Sequence, residues 1–350
     1  MTGNIFGKLF RITTWGESHG KGLGVVIDGC PSGLKLDAED IQFELDRRKP
    51  GQSKVTSTRK ETDRVEIWSG VFEGKTTGTP ISLLIRNQDA DSSKYDQIKD
   101  LFRPGHADFT FQKKFGIRDH RGGGRSSGRE TAARVAAGAI AKKILDGNKI
   151  RLIAHAVQIG KIKADKIDLD VIDDNLVKCA DVAAAKKMEA EILTAKQDGD
   201  SIGGIVEIIV QGCPIGLGDP VFDKLEADLG KALFSIGAVK GVEFGCGFAV
   251  AGLKGSENND QIASTGFKTN NAGGVLGGIS TGQDIVMRIA VKPTPSIAKE
   301  QKTINLQNQD SIIKVTGRHD PCIVPRIIPV AESMVALVLV DKLLMQRSGK

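Results

Sequence analysis

Residues 70–85, GVFEGKTTGTPISLLI, align without a gap on residues 274–289, GVLGGISTGQDIVMRI. Gly70, Gly74 and Gly78 fall on Gly274, Gly278 and Gly282, and Ile81 and Ile85 fall on Ile285 and Ile289. Each copy reads as a glycine- and threonine-rich turn running into an apolar strand. A late helix echoes in the same way: GRETAARVAAGAIAKKIL (128–145) matches PVAESMVALVLVDKLL (329–344), with Glu130 falling on Glu332. A helix at 38–49, with Asp37 as N-cap and Pro50-Gly51 as stop, finds its counterpart around 222–234. The repeat predicts an α+β fold with related halves at about 1–145 and 200–350, each supplying a helix, a hairpin and a late helix. Facing halves of this kind would share one intertwined core, giving a single domain over 1–350. Gly/Thr hairpins and apolar helices also look alike in unrelated proteins, so the topology around the two hairpins decides the matter. The segment 161–200, rich in Lys, Asp and Ala, is expected to pack outside this core as a surface helix ended by Asp198-Gly199.

The 350 residues are 40% hydrophobic and 26% charged, enough apolar material for a packed core. The 42 glycines exceed the ordinary share of ~7%, which points to positive φ angles or close approach by a ligand. Two Trp and one Tyr are too few for a surface of aromatic stacking platforms. The net charge of +6 suits anionic small molecules or nucleic acid. The arginines are spread among loops rather than gathered in a tail, which favours a built site. Cys30, Cys179, Cys213, Cys246 and Cys322 lie far apart with no CxxC spacing. That argues against a disulfide framework or zinc site and for a reducing, cytoplasmic setting. No signal peptide is visible, and no run approaches the ~20 apolar residues that span a bilayer.

Charge and backbone freedom concentrate in DHRGGGRSSGRETAAR, residues 119–134. Such a loop could hold a phosphate, line nucleic acid or be a solvated turn. A glycine-rich loop entering a helix supplies free N–H groups and a dipole that favours an anion. Arg125, Arg129 and Arg134 add guanidinium forks suited to carboxylate or phosphate, as do Arg48, Arg103, Arg318 and Arg326 in other loops. Ser126 and Ser127 offer hydroxyls to the same anion or to the helix cap. Arg129 and Arg134 also read as ordinary surface charge on a helix. Four of the five histidines lie in glycine- or arginine-bearing loops: His19 in GESHG, His106 in RPGHAD, His120 in DHRGGGR and His319 in GRHDP. Histidines so placed titrate near neutrality, as acid–base catalysis requires, although each alone suits a structural role. His155, in the apolar run RLIAHAV, reads as a core or edge residue. Neither GxxxxGK[ST] nor HExxH occurs, and no metal-ligand pattern convinces. GESHG satisfies GxSxG, but it follows a single strand too close to the N-terminus for a hydrolase nucleophile elbow. The residues point to an enzyme acting on a small, multiply anionic substrate, with histidine as acid and arginine as clamp. The rival is a basic nucleic-acid-binding protein without catalysis, against which stands the lack of a basic helix or interleaved aromatics.

Five stretches in order, GNIFGKLFRITTWGESHG, LDRRKPGQS, FRPGHAD, RGGGRSSGRETAARVAAGAIAK and GRHDPC, resemble the chorismate synthase family from Gly3 to about Leu344. The resemblance implies a β-α-β sandwich, a homotetramer and a lyase of aromatic amino-acid biosynthesis. Its reaction would be anti-1,4-elimination of phosphate and the C6 hydrogen from 5-enolpyruvylshikimate 3-phosphate, giving chorismate. Reduced FMN would be the cofactor with no net redox change, and NADPH only an indirect source of reducing equivalents through an external flavin reductase. No nucleic-acid or membrane partner is implied. Carried over by motif, His19 would protonate the departing phosphate, His106 would protonate or stabilise the reduced flavin, and Asp320 with Ser127 would handle protons near flavin N5. Arg48, Lys54, Arg129 and Arg134 would bind substrate, Lys54 standing where an arginine is frequent. Cofactor contacts would fall on Arg125, Ser126, Ser127, Gly237 (where Asn is common), Ala238, Gly277, the run Lys292, Pro293, Thr294, Pro295 and Ser296, and Arg318. The substrate's two carboxylates and phosphate, with the phosphate of FMN, would give the arginine excess its purpose.

Overall fold

The computed structural model describes residues 3–57, 59, 61–89 and 93–348. The chain opens with strands β1 (Ile5–Phe6), β2 (Arg11–Gly16) and β3 (Gly22–Asp28), then helix α1 (Ala38–Arg48) and β4 (Val65–Ile67). The hairpin β5–β6 (Val71–Phe72, Lys75–Thr76) leads into β7 (Ile81–Arg86), short helices α2 (Ser93–Asp96) and α3 (Asp108–Phe115), and α4 (Thr131–Asp146). Next come β8 (Arg151–Ile159), β9 (Ile162–Lys163), α5 (Val182–Gln197), β10 (Gly204–Gln211), α6 (Leu225–Phe234) and β11 (Val239–Phe244). Short α7 (Gly255–Asn258) and β12–β13 (Ile262–Ala263, Gly266–Phe267) precede the hairpin β14–β15 (Val275–Leu276, Ile279–Ser280) and β16 (Ile285–Val291). The hairpin β17–β18 (Glu300–Ile304, Asp310–Lys314) and the long helix α8 (Val324–Ser348) finish the fold.

One sheet has the order β1-β2-β3-β7-β4 and the other β11-β16-β10-β8-β9, each pairing antiparallel. Read along the chain, both halves run strand, strand, helix, strand, hairpin, strand, helix. β2, β3, β4 and β7 thus correspond to β8, β10, β11 and β16, an arrangement compatible with the internal repeat. The second set starts at β8, ahead of residue 200 where the sequence echo placed it, because 161–200 is inserted between β8 and β10. The correspondence reaches single hydrogen bonds. GCPSGL (29–34) follows β3 and GCPIGL (212–217) follows β10. The Thr76 hydroxyl donates to Pro31 O at 2.6 Å and accepts from Leu34 N at 3.0 Å. The Ser280 hydroxyl makes the same pair with Pro214 O at 2.6 Å and Leu217 N at 2.9 Å. Each hairpin is thereby fastened to the end of its neighbouring strand.

Alternation along the strands turns Leu23, Val25 and Ile27 of β3, and Val206, Ile208 and Val210 of β10, toward the helices between the sheets. Apolar side chains of both sheets and of α1, α4, α6 and α8 join one continuous cluster. α4 is buried around most of its circumference: Ala132, Ala133, Val135, Ala136, Ala137 and Ile140 are all buried. It lies against α8, and both helices run the same way. Arg134, near the start of α4, reaches the Met334 sulfur in the first half of α8 at 3.8 Å, and Arg347, near the end of α8, donates to Asn148 just past the end of α4. At Gly138 the two backbones nearly touch, since a Cβ there would sit 2.2 Å from Ser333 Cβ and 2.7 Å from Ser333 Cα. The expectation that 161–200 packs outside this core is corrected in part. Ala184, Ala185, Met188 and Ile192 form a buried stripe on α5 that joins the same cluster against β8 and β9.

A buried ion network clips three helices together. Glu332 of α8 accepts from Arg47 of α1 at 2.6 and 3.0 Å and from Lys142 of α4. Glu44 accepts from the same two cations, each at 2.8 Å. Burial alone would raise the Glu332 carboxyl, but Lys142 and Arg47 outweigh it and pull it down to about 2. A depressed carboxyl stabilises the fold fully above its ordinary value of 4.5, and that stability is lost as pH falls toward about 2. Glu332→Gln should therefore flatten the decline of unfolding free energy across that acid window. At pH 7 it should lower stability by roughly 3–5 kcal/mol, because both cations lose a buried partner. Urea unfolding followed at several pH values checks both outcomes. Gly138→Val should lower the urea midpoint, with a loss of about 1–3 kcal/mol or more from overpacking the helix contact.

Candidate active site

The positive ends of α4 and α8 are directed at one cavity of about 580 Å³, lined by residues of both halves. Arg48, Arg59, Arg103, Arg125, Arg129, Arg134, Arg318, Arg326 and Lys292 line it, against the carboxylates Asp89, Glu130 and Asp320. Such an excess of fixed positive charge in a recess is a site for anions. What keeps these cations in place is a set of carboxylates, some lining the wall and some buried behind it.

Asp63 is wholly buried and accepts from Arg129 Nη1 at 2.5 Å and Arg48 Nη1 at 3.0 Å. Burial would raise its pKa, yet the two arginines hold it below the ordinary 3.8. Arg48 also donates to Gly128 O at 2.7 Å, and Arg129 Nε to Asn87 at 2.5 Å. Both guanidinium groups are therefore fixed side by side, and Arg129 is no surface charge. Glu130 does the same for Arg134, accepting its Nε at 2.7 Å, while the Arg134 Nη1 reaches Ser235 Oγ at 2.6 Å. Arg125 is held by Thr14 Oγ1 at 2.7 Å. Arg318 meets Asp89 through two parallel bonds of 2.7 and 2.8 Å. Asp320 accepts from Ser57 N at 2.8 Å and from Arg326.

The three glycines 122–124 all have positive φ. Their freedom serves the histidines. A Cβ at Gly122 would lie 2.2 Å from His19 Cε1, and one at Gly123 would lie 2.9 Å from His106 Cε1. Only a loop without side chains lets both imidazoles close on it. His19 Nδ1 lies 3.0 Å from the Ser18 hydroxyl, and its ring meets Tyr95 edge-on at 5.3 Å. His106 is mostly buried, with Nδ1 3.0 Å from Asp108. The loop then forms two 3₁₀ turns, Gly124–Ser126 and Gly128–Glu130, before α4. Ser126 Oγ donates to Gly123 O at 2.7 Å, and Ser127 Oγ accepts from Arg129 N at 3.3 Å as an N-cap. Beside His106, Lys292 Nζ donates to Gly105 O at 3.0 Å, and burial, then Lys240, push its pKa below the ordinary 10.5.

The family model described as chorismate synthase matches residues 10–344. The chain belongs to the chorismate synthase family. It is 59% identical to a chorismate synthase of Methanococcoides burtonii, over 100% of this chain and 97% of that relative. It is 57% identical to one of Desulfatibacillum aliphaticivorans, over 99% of this chain and 97% of the relative. A crystal structure of chorismate synthase superposes with a TM-score of 0.78 at 32% identity, covering 97% of this chain and 93% of that one.

In this member of the chorismate synthase family, the cavity brings together His19, His106, Asp320, Arg48, Arg129 and Arg134. It also takes in Arg125, Ser126, Ser127, Gly237, Ala238, Lys292, Thr294, Pro295, Ser296 and Arg318. Lys54 stands outside, exposed and paired with Glu189 of α5. Gly277 sits at the tip of the β14–β15 hairpin, and Pro293 is absent from the lining. His155 is buried beside Glu207, as its apolar run suggests, and His120 lies 3.6 Å from Asp96. Asp63, Asp108 and Glu130 have site roles that the motifs do not announce. Glu130 and Asp108 sit within the recognised motifs, but Asp63 reaches the site from a loop with no local signal. Asp63→Asn should leave Arg48 and Arg129 buried with too little compensation, lowering stability by roughly 3–5 kcal/mol. Thermal and urea unfolding of the variant against the parent check this.

Proposed function

We propose that this chain catalyses the anti-1,4-elimination of phosphate and the C6 hydrogen from 5-enolpyruvylshikimate 3-phosphate, yielding chorismate, with reduced FMN and no net redox change. The observation that carries the reading is one cavity in which nine cations and three loop histidines, His19, His106 and His319, face the same space. A substrate with two carboxylates and a phosphate, beside a cofactor phosphate, requires such a concentration of donors. The residues present suit FMN. Thr294 Oγ1 is buried in the lining with no partner, and Gly237 leaves open space where a side chain would stand. Ala238 takes φ of +75°, and its carbonyl accepts from Lys292 N at 2.9 Å, shaping the same wall. Arg125, Ser126 and Arg318 would supply phosphate donors, with Ser127, Pro295 and Ser296 completing the cradle. When bound, reduced FMN supplies electron density to the substrate and takes up the C6 hydrogen.

The chain's own residues do the rest. Arg48 and Arg129, fixed by Asp63, hold substrate anions side by side, and Arg134 extends the clamp. His19 gives a proton to the departing phosphate from Nε2, its Nδ1 being engaged by Ser18. His106 stabilises the reduced cofactor's charge from the opposite side of the glycine loop. Asp320 and Ser127 handle protons by exchanging their present partners, Arg326 and the Arg129 amide. The reading includes a cytoplasmic homotetramer supplied with reduced flavin by a separate, NADPH-dependent reductase. Among the described residues no helix is long and apolar enough to cross a membrane. An anaerobic assay of phosphate release from the substrate, with and without reduced FMN, tests the proposal. Release that ignores flavin, or none in either case, overturns it. His106→Ala should lower turnover ~10²–10⁴-fold while FMN and substrate still bind.

A further inference from the structure

Asp108 does not line the cavity, yet it governs a residue that does. Its carboxylate is buried, and Oδ2 accepts from Arg103 Nε at 2.7 Å and from Arg103 N at 3.2 Å. Oδ1 accepts from Arg103 Nη2 at 2.9 Å and lies 3.0 Å from His106 Nδ1, with Arg118 Nη1 at 3.5 Å. Arg103 and His106 hold the Asp108 carboxyl far below its ordinary range, against the opposing effect of burial, so it is ionised and can only accept. A bare Nδ1 lone pair at 3.0 Å from that oxygen would set two acceptors against each other. Arg103 Nη2, 3.2 Å from Nδ1, is the competing donor, but the charged Asp108 oxygen is nearer at 3.0 Å, and Nε and Nη2 of that guanidinium are already turned to the same carboxylate. The proton therefore belongs on Nδ1. The other edge of the ring faces Gly123, where an added Cβ would lie 3.3 Å from Nε2.

We infer that Asp108 is a positioning residue that fixes the His106 tautomer, keeping Nδ1 protonated and confining proton exchange with a bound ligand to Nε2. Its consequence for turnover rests on the proposed function; the tautomer itself is a property of the free protein. A proton taken up at Nε2 converts the imidazole to imidazolium, and the same proton leaves from Nε2 to ligand or water while the Nδ1 proton stays. Burial pushes the His106 pKa below the ordinary 6.5, Asp108 pulls it up, and Arg103 and Lys292 push it down. Nε2 is thus bare at neutral pH in the free protein. Removing the Asp108 charge removes an influence that raises the pKa.

Nitrogen NMR of the full chain labelled at histidine, with the His106 signals assigned by their loss in His106→Gln, tests the inference. The parent protein should show a protonated Nδ1 and an unprotonated Nε2 at neutral pH. A protonated Nε2 with a bare Nδ1 overturns it. Asp108→Asn should shift His106 toward the Nε2–H tautomer, lower its pKa and reduce kcat ~10²–10⁴-fold with substrate KM little changed. An unchanged tautomer and unchanged pH profile of kcat in this variant also overturn the inference. Should Asp108→Asn not fold, Asp108→Glu decides, since restoring a carboxylate should retain the Nδ1–H signal. The expected tautomer together with full turnover by His106→Ala would instead overturn the proposed role of His106, leaving the tautomer assignment standing.

Discussion

The contact between α4 and α8 at Gly138 is the constraint on which the other features depend. With no side chain at that position, two helix backbones approach until Ser333 fills the gap. That approach lets two sheets close over a helical layer made largely of alanine and valine on one side and larger aliphatics on the other. It also aligns the two helix starts, so that both partial positive ends fall at one place. A bulkier contact would spread the helices and separate the loops at their starts. The site is therefore a consequence of how closely the middle of the molecule packs.

Concentrating positive charge in a recess is unfavourable unless each cation is restrained and partly neutralised. Buried carboxylates provide that restraint. Asp63 spans Arg48 and Arg129, Asp108 grips Arg103, and Glu130 aligns Arg134. Each carboxylate binds one side of its guanidinium group. Flexible arginines become a rigid set of donors, so little ordering remains when an anionic ligand arrives. Arg318 differs, since its pairing with Asp89 occupies both forks of the guanidinium with a chain carboxylate at the cavity wall.

Much of this was legible in the sequence. The hairpin repeat at 70–85 and 274–289 marked the two places where the chain enters the corresponding strands β7 and β16. Helix α1 was readable from Asp37 and Pro50 because caps and stops are local chemistry. The glycine loop announced a special backbone, but not that two imidazoles close on it. Gly122 and Gly123 admit His19 and His106, and contact between remote loops leaves no local pattern. The same reason hid Asp63, whose partners come from α1 and from the turn before α4. The insertion at 161–200 looked solvated because its lysines outnumber the four apolar residues that dock α5. The GCPxGL echo was readable but short, and its meaning appears only when Thr76 and Ser280 are seen making equivalent bonds.

The lock formed by Thr76 and by Ser280 is repeated, once in each half, but the cavity is not. Equivalent helix starts converge on the same space, so two copies of the scaffold enclose one site rather than two. The halves are consequently released from having to match: the first contributes the glycine loop and the two imidazoles packed on it, the second Lys292, Arg318 and His319. Similar scaffolds can thus build an asymmetric chamber.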